Sequence, residues 1–288
     1  MKSVGIYYFS GTGNTELVAG MVKEEFTTRG YRVDMIKIED VIKCKLKLDF
    51  DKYDLVGIGS QVIGYGPPRL VYEFVKRLPD GNGKKVFIFR TSGGVVPQNY
   101  NASKPLIRVM KAKGYDAFHE RIFSITSNWI MKFDDSVIKR LYEATRKKVG
   151  FMCNDIIEGK ARTLKAEGIK CGIIRMMIPV FSFGIRLIGK DLYVDKTACS
   201  NCGLCVRTCP AANICEKGGR NKFRFNCNGC MRCVYTCPQK AIKYRLFKFF
   251  IIPGGYNIKK TLQQPDGIET ENGFIPPFFE KYISDDTM

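Results

Sequence analysis

The chain has 288 residues, 45 % of them hydrophobic, and 47 Lys and Arg against 28 Asp and Glu give a formal net charge of +19. That length suits one large domain and one small one, with apolar content enough for a real core. The twelve cysteines follow no charged leader, apolar run and small-residue cleavage site, so they read as metal ligands in a reducing cytoplasm rather than as disulfides.

The first part alternates strand and helix, the pattern of a parallel sheet covered on both faces. Val4–Phe9 is a strand. Thr15–Thr28 follows as a helix, with Leu17, Val18, Met21, Val22 and Phe26 on one face. Tyr31–Ile38 alternates like an outer strand, and Leu55–Gly59 is a buried one. Arg69–Leu78 carries Leu70, Val71, Phe74 and Val75 at helical spacing. Lys85–Arg90 is a fourth strand, Ser103–Lys113 a helix and Arg121–Ile125 a fifth strand. Asp134–Ile157 is a long helix with Val137, Ile138, Leu141, Tyr142 and Val149 inward. These elements make up residues 1–160.

Residues 161–190 form a basic, mostly apolar connector. Its Gly172–Gly189 stretch contains Arg175, Arg186 and Pro179, and a membrane span tolerates few charges. A buried or surface-docked connector is therefore favoured over a membrane-surface helix, and no transmembrane segment is expected. A small cysteine-rich unit occupies 191–247. The tail, 248–288, has turn signals at Pro253-Gly254-Gly255 and Pro276-Pro277 without domain-like periodicity, so it is expected to wrap over another part of the protein.

Eight cysteines repeat one spacing. The first run is Cys199-x2-Cys202-x2-Cys205-x3-Cys209-Pro210. The second is Cys227-x2-Cys230-x2-Cys233-x3-Cys237-Pro238. Val206, Thr208 and Ile214 recur as Val234, Thr236 and Ile242. This is the bacterial ferredoxin run for two [4Fe–4S] clusters, in which soft thiolates hold iron and sulfide. The fourth cysteine of each run lies too far along to close its own cube and ligates the other. Cys199, Cys202, Cys205 and Cys237 thus form one set, and Cys227, Cys230, Cys233 and Cys209 the second. Zinc also takes four cysteines, but its motifs supply them in pairs. Cys44, Cys153, Cys171 and Cys215 fall outside the pattern and read as small buried side chains.

After the first strand comes Ser10-Gly11-Thr12-Gly13-Asn14-Thr15, opening a helix. Hydroxyls, permissive glycines and backbone N–H groups at a helix N-terminus make an anion site. The loop lacks the Lys of a Walker loop and the third glycine of a dinucleotide fingerprint. With Phe9 before it, it resembles the phosphate loop of flavodoxins, which implies a five-stranded sheet of order 2-1-3-4-5 with FMN at the switch point. The resemblance carries a ring-flanking role to two further loops at strand ends. These are Ser60-Gln61-Val62-Ile63-Gly64-Tyr65-Gly66 and Thr91-Ser92-Gly93-Gly94. Gln61 and Ile63 stand where a stacking aromatic is expected. Trp129 could approach the ring edge, although packing is favoured.

The whole chain resembles flavodoxin–ferredoxin fusion proteins of anaerobic bacteria: an α/β flavodoxin-like domain joined to a small α+β bacterial ferredoxin-type domain. The resemblance implies an electron carrier with FMN and two clusters. No acid–base machinery is evident; His119, the only histidine, reads as structural or surface. A carrier is favoured over an enzyme with its own substrate, the alternative being an FMN-dependent reductase of a quinone or nitro compound fed by the clusters. Basic residues outnumber acidic ones 12 to 4 between Lys139 and Lys190 and 11 to 2 between Tyr193 and Phe250. They are scattered, and the implied cofactors are anionic, with about −2 on each oxidised cluster. Acidic redox partners are therefore expected rather than nucleic acid.

Overall fold

All seven residues of strand β1 (Ser3–Phe9) are buried, which requires cover on both faces of a sheet. In the computed structural model, which describes residues 1–44, 48–166, 168–219, 221–264 and 275–285, β1 is the second strand of five. It runs parallel to β2 (Arg32–Lys37) and to β3 (Leu55–Gln61), and β4 (Lys85–Ser92) and β5 (Asp116–Ser124) complete the sheet. The order β2-β1-β3-β4-β5 is the expected flavodoxin-like one, with the switch point between β1 and β3. One face is covered by α1 (Asn14–Thr28) and α5 (Asp135–Ile157). The opposite core packs α3 (Arg69–Lys76) and α4 (Lys104–Ala112).

Two elements differ from the sequence reading. A short helix, α2 (Ile38–Cys44), begins directly where β2 ends, because Ile38 and Val41 turn inward. Strand β5 starts at Asp116, well before Arg121. Its polar middle conceals a buried network: Glu120 takes an ion pair from Arg90 at 3.4 Å, a bond from Ser103 and the Leu164 amide at 2.7 Å. His119 is buried beside it, its Nδ1 3.0 Å from the Lys160 carbonyl, and burial lowers its pKa.

The connector forms one 23-residue helix, α6 (Ile169–Asp191), which continues through Pro179. It is not buried. Only Cys171 and Gly189 are fully enclosed, and the helix is long and apolar enough to cross a bilayer by length and composition alone.

The small unit carries two two-stranded antiparallel sheets. One pairs β6 (Leu192–Val194) with β9 (Ile242–Tyr244). The other pairs β7 (Ile214–Glu216) with β8 (Asn221–Phe223). Two short helices, α7 (Leu204–Thr208) and α8 (Arg232–Tyr235), follow equivalent cysteines. The repeat is visible in the backbone. Left-handed φ angles occur at Asn201 and Gly229, at Gly203 and Met231, and at Ala212 and Lys240, each pair 28 residues apart as Cys199 is from Cys227.

The tail crosses back over the large domain. Helices α9 (Ile258–Gln263) and α10 (Pro277–Ser284) pack on α5, and Ile258, Phe279 and Tyr282 join its core. Residues 265–274 and 286–288 of the tail lie outside the described residues. The Tyr282 hydroxyl is 2.9 Å from Thr145 Oγ1, and burial pushes its pKa up to about 12.

This packing makes the tail part of the domain's stability. Phe279→Ala removes a fully buried ring and is expected to cost about 3–5 kcal/mol in urea denaturation. Tyr282→Phe, which loses one hydrogen bond, should cost about 1 kcal/mol.

Candidate functional site

A cavity of about 480 Å³ opens at the C-terminal edge of the sheet. The loop after β1 supplies Ser10, Gly11, Thr12, Asn14 and Thr15. The end of β3 and the loop after it supply Gln61, Val62, Ile63, Gly64 and Tyr65, and the end of β4 with the residue after it supplies Thr91, Ser92 and Gly93. Four nominated residues stand back, among them Gly66, which faces Ile178. Gly13 caps α1 with φ 104° and faces Ile258, Ser60 is buried in β3, and Gly94 abuts Phe278.

Local bonding fixes the first loop. Gly13 N–H donates to Ser10 Oγ at 3.2 Å, and Thr15 Oγ1 lies 2.8 Å from Thr91 Oγ1. The first α1 turn leaves backbone N–H groups without helical partners, facing a hydroxyl-lined space suited to a phosphate. Gln61 Oε1 is buried without a hydrogen-bond partner at the cavity wall, a polar atom that a bound group would satisfy. Tyr65 has φ 59° and its ring packs against Phe181 of α6, 5.3 Å between centroids.

The remaining wall was missed by sequence reasoning, apart from Trp129. The segment after β5 contributes Thr126, Ser127, Asn128, Trp129 and Ile130, and the small domain contributes Gly229, Cys230 and Phe250. Trp129 donates from Nε1 to the Gly229 carbonyl at 3.1 Å and packs on Phe250 at 4.7 Å, so it both lines the cavity and joins the domains. Tyr256, from the tail, donates to Asn14 Oδ1 at 2.6 Å, and burial raises its pKa. Only the position of Asn128 and Trp129 after a strand end hinted at this wall.

The two domains meet at backbone distance. A Cβ added to Gly11 would lie 2.2 Å from the Cys230 carbonyl oxygen, so no larger residue fits. Arg232 clamps the junction. Its Nη2 donates to the Ser10 carbonyl at 2.5 Å and pairs with Glu39 Oε1 at 2.6 Å, Nε donates to the Gly11 carbonyl at 3.2 Å, and Nη1 donates to the Thr208 carbonyl at 3.1 Å. Asn128 adds a bond from Nδ2 to Thr12 Oγ1 at 2.8 Å.

The eight cysteines fall into two surroundings. Cys209, Cys227, Cys230 and Cys233 line one enclosed cavity. Desolvation pushes the Cys227 and Cys230 thiols up to about 12 and about 11, and that of Cys233 well above the usual range, each also raised by its neighbours in this set. Cys205 is raised by desolvation and then by Cys237 and Cys199. Cys202 is exposed and its pKa is lowered, first by a bond from the Leu204 amide. Backbone amides point at sulfur in matched pairs. Asn201 N–H lies 3.4 Å from Cys199 Sγ as Gly229 N–H lies 3.3 Å from Cys227 Sγ, and Asn213 and Ala241 do the same for Cys209 and Cys237 at 3.2 and 3.3 Å. The cavity of Cys209, Cys227, Cys230 and Cys233 is sulfur-lined, and both cysteine runs are bordered by N–H donors, the chemistry that suits an iron–sulfur cluster. Among the described residues, no three His, Cys, Asp or Glu side chains converge on a single metal ion. Of the other cysteines, Cys153 and Cys171 are buried, but Cys44 is exposed at the end of α2 and Cys215 is half-buried on the edge pair β7–β8.

Residues 191–238 match the family model described as a 4Fe-4S dicluster domain. No curated protein matches the chain. Among solved structures, the two-electron reduced flavodoxin of Megasphaera elsdenii is 25 % identical, covers 50 % of this chain and 98 % of its own, and has a TM-score of 0.35. Oxidised flavodoxin 2 from Bacillus cereus is 17 % identical over 55 % of this chain and 99 % of its own, with a TM-score of 0.39. Rubredoxin oxygen:oxidoreductase from Desulfovibrio gigas is 17 % identical over 55 % of this chain and 37 % of its own, with a TM-score of 0.38. The fold assignment rests on the strand order itself. A flavodoxin-like N-terminal half followed by a 4Fe-4S dicluster match fits a flavodoxin–ferredoxin fusion.

Arg232→Met would leave the Glu39 carboxylate buried without its partner, and is expected to cost about 3–5 kcal/mol in urea denaturation. Adding Glu39→Gln should recover a large part of that loss, because the orphaned charge is then gone.

Proposed function

We propose that this chain is an electron carrier that binds FMN in the sheet-edge cavity and two [4Fe–4S] clusters on its eight repeated cysteines. The observation that carries the reading is the contact of Gly11 with Cys230. It puts one cluster loop into the wall of the flavin cavity. FMN supplies one- or two-electron exchange when bound and each cluster one-electron exchange, so the fusion can couple the two.

Ser10, Thr12, Asn14 and Thr15 would hold the phosphate through hydroxyls, amide and backbone N–H groups. Gln61 would meet a polar edge of the ring system. Tyr65 and Trp129 bound the cavity, with Val62, Ile63, Gly64, Thr91, Ser92 and Gly93 shaping the rest. The shared cavity of Cys209, Cys227, Cys230 and Cys233 supports crossed ligation, and Cys230 in the sheet-edge cavity wall favours this set as the one beside the flavin. Cys199, Cys202, Cys205 and Cys237 would hold the outer cluster. Lys196, Lys222 and Arg245 share a surface depression with Cys199, which suits an acidic redox protein docking at the outer cluster. The cluster-type spacing of eight of the cysteines supports a reducing, cytoplasmic setting.

An anaerobic redox titration with iron and flavin counted should find one FMN and two clusters. In rapid-mixing reduction followed at flavin and cluster wavelengths, Cys230→Ser should abolish exchange between flavin and iron. Cys202→Ser should leave that exchange intact and slow only reduction of an acidic ferredoxin, a reaction that weakens with salt in the unaltered protein. Full exchange in the Cys230→Ser protein would defeat the proposed order. Rapid turnover of a quinone or nitro compound would favour the reductase reading instead.

A further inference from the structure

One face of α6 is apolar and uncovered. Ile169, Ile173, Met176, Val180, Phe183 and Leu187 form a stripe at alternating steps of four and three residues along one side of the helix. Ile169 is 83 % exposed, Met176 79 % and Val180 60 %. An apolar surface of this length is unusual on a soluble monomer.

The opposite side of the helix is committed. Cys171 is buried, and Ile178 and Phe181 fill the space beside Gly66 and Gly64 of the cavity loop. Ile185 packs against Gly229, Arg186 donates to the Phe225 carbonyl at 2.9 Å, and Lys190 donates to the Phe223 carbonyl at 2.9 Å. A helix held along its whole length by the two domains does not thread a bilayer. It can lie on one.

Charge selects between the surfaces that could cover the stripe. The helix carries Lys170 and Arg175 on its exposed part, Arg186 and Lys190 bonded to the small domain, and one carboxylate, Asp191, at its last residue, on a chain of net charge +19. The stripe spacing would suit a seam with a second copy, but pairing two such helices brings Lys170 and Arg175 together, while the helix's one carboxylate, Asp191, is already bonded to the Leu246 and Phe247 amides. An anionic lipid surface accepts the apolar side chains and neutralises the flanking cations.

We propose that α6 lies in the headgroup plane of an anionic phospholipid membrane, with its exposed stripe inserted. The cavity loop on its other side then sits about one helix diameter, roughly 10–12 Å, from that plane. This goes beyond the electron-carrier reading and does not depend on it.

Flotation of the cofactor-loaded protein with vesicles tests the proposal. The protein should rise with phosphatidylglycerol-containing vesicles at low salt, and much less with pure phosphatidylcholine or at high salt. The triple variant Ile173→Ser, Met176→Ser, Val180→Ser should lower the bound fraction about tenfold or more, with flavin and cluster spectra unchanged. Lys170→Glu with Arg175→Glu should weaken binding to the anionic vesicles alone. Protein that stays with the bulk solution overturns the proposal. So does binding indifferent to the triple substitution, or a dimer, seen by light scattering, that the triple variant dissolves and that does not bind vesicles.

Discussion

The guanidinium of Arg232 holds the molecule together at its most crowded point. It spans two backbone carbonyls of the loop after β1, a carboxylate from α2 and a carbonyl of the other cysteine run. Five N–H donors in a planar fork suit this task, whereas a lysine could not reach the partners together. The clamp lets Gly11 and Cys230 meet at backbone contact, and the rest of the site depends on that meeting. The segment after β5 closes round it through Asn128 and Trp129. Tyr235 then bonds the Asn128 carbonyl at 2.9 Å and receives the Ile252 amide at 3.0 Å, which draws in the start of the tail.

The cysteine repeat is nearly symmetric in backbone and unequal in surroundings. Equivalent residues take left-handed conformations, and equivalent amides point at sulfur. In one set Cys227, Cys230 and Cys233 are strongly desolvated and Cys230 abuts Gly11 of the large domain, while the other leaves Cys202 exposed. Burial and hydrogen bonding are the levers that set cluster potentials. Two near-identical cysteine runs are thereby given different electrostatic settings by what packs on them.

Much of this was legible in the sequence for definite reasons. Val4–Phe9 reads as a strand because it is apolar throughout, and the loop beginning at Ser10 announces itself by hydroxyls and glycines before a helix. The cysteine runs carry their chemistry in their spacing. Other features have no local signature. Asp116–Glu120 looks polar, and only the tertiary network round Glu120 makes it a buried strand. Gly229, Cys230 and Phe250 enter the cavity wall through domain contact, which no periodicity encodes. The exposure of α6 was only half legible: apolar composition left the connector buried or surface-docked, and the two domains cover only one side of the helix.

The tail adds a constraint in time. Ile258, Phe279 and Tyr282 belong to the core of a domain whose last strand ends at Ser124. At about 5–20 residues per second, the roughly 155 residues between Ser124 and Phe279 take on the order of 10–30 s to synthesise. Throughout that interval the nascent large domain shows the ribosome's surroundings an unfinished core. The cysteine unit, encoded between, emerges before the core is sealed. Final consolidation of the first domain therefore waits for α10 to leave the ribosome.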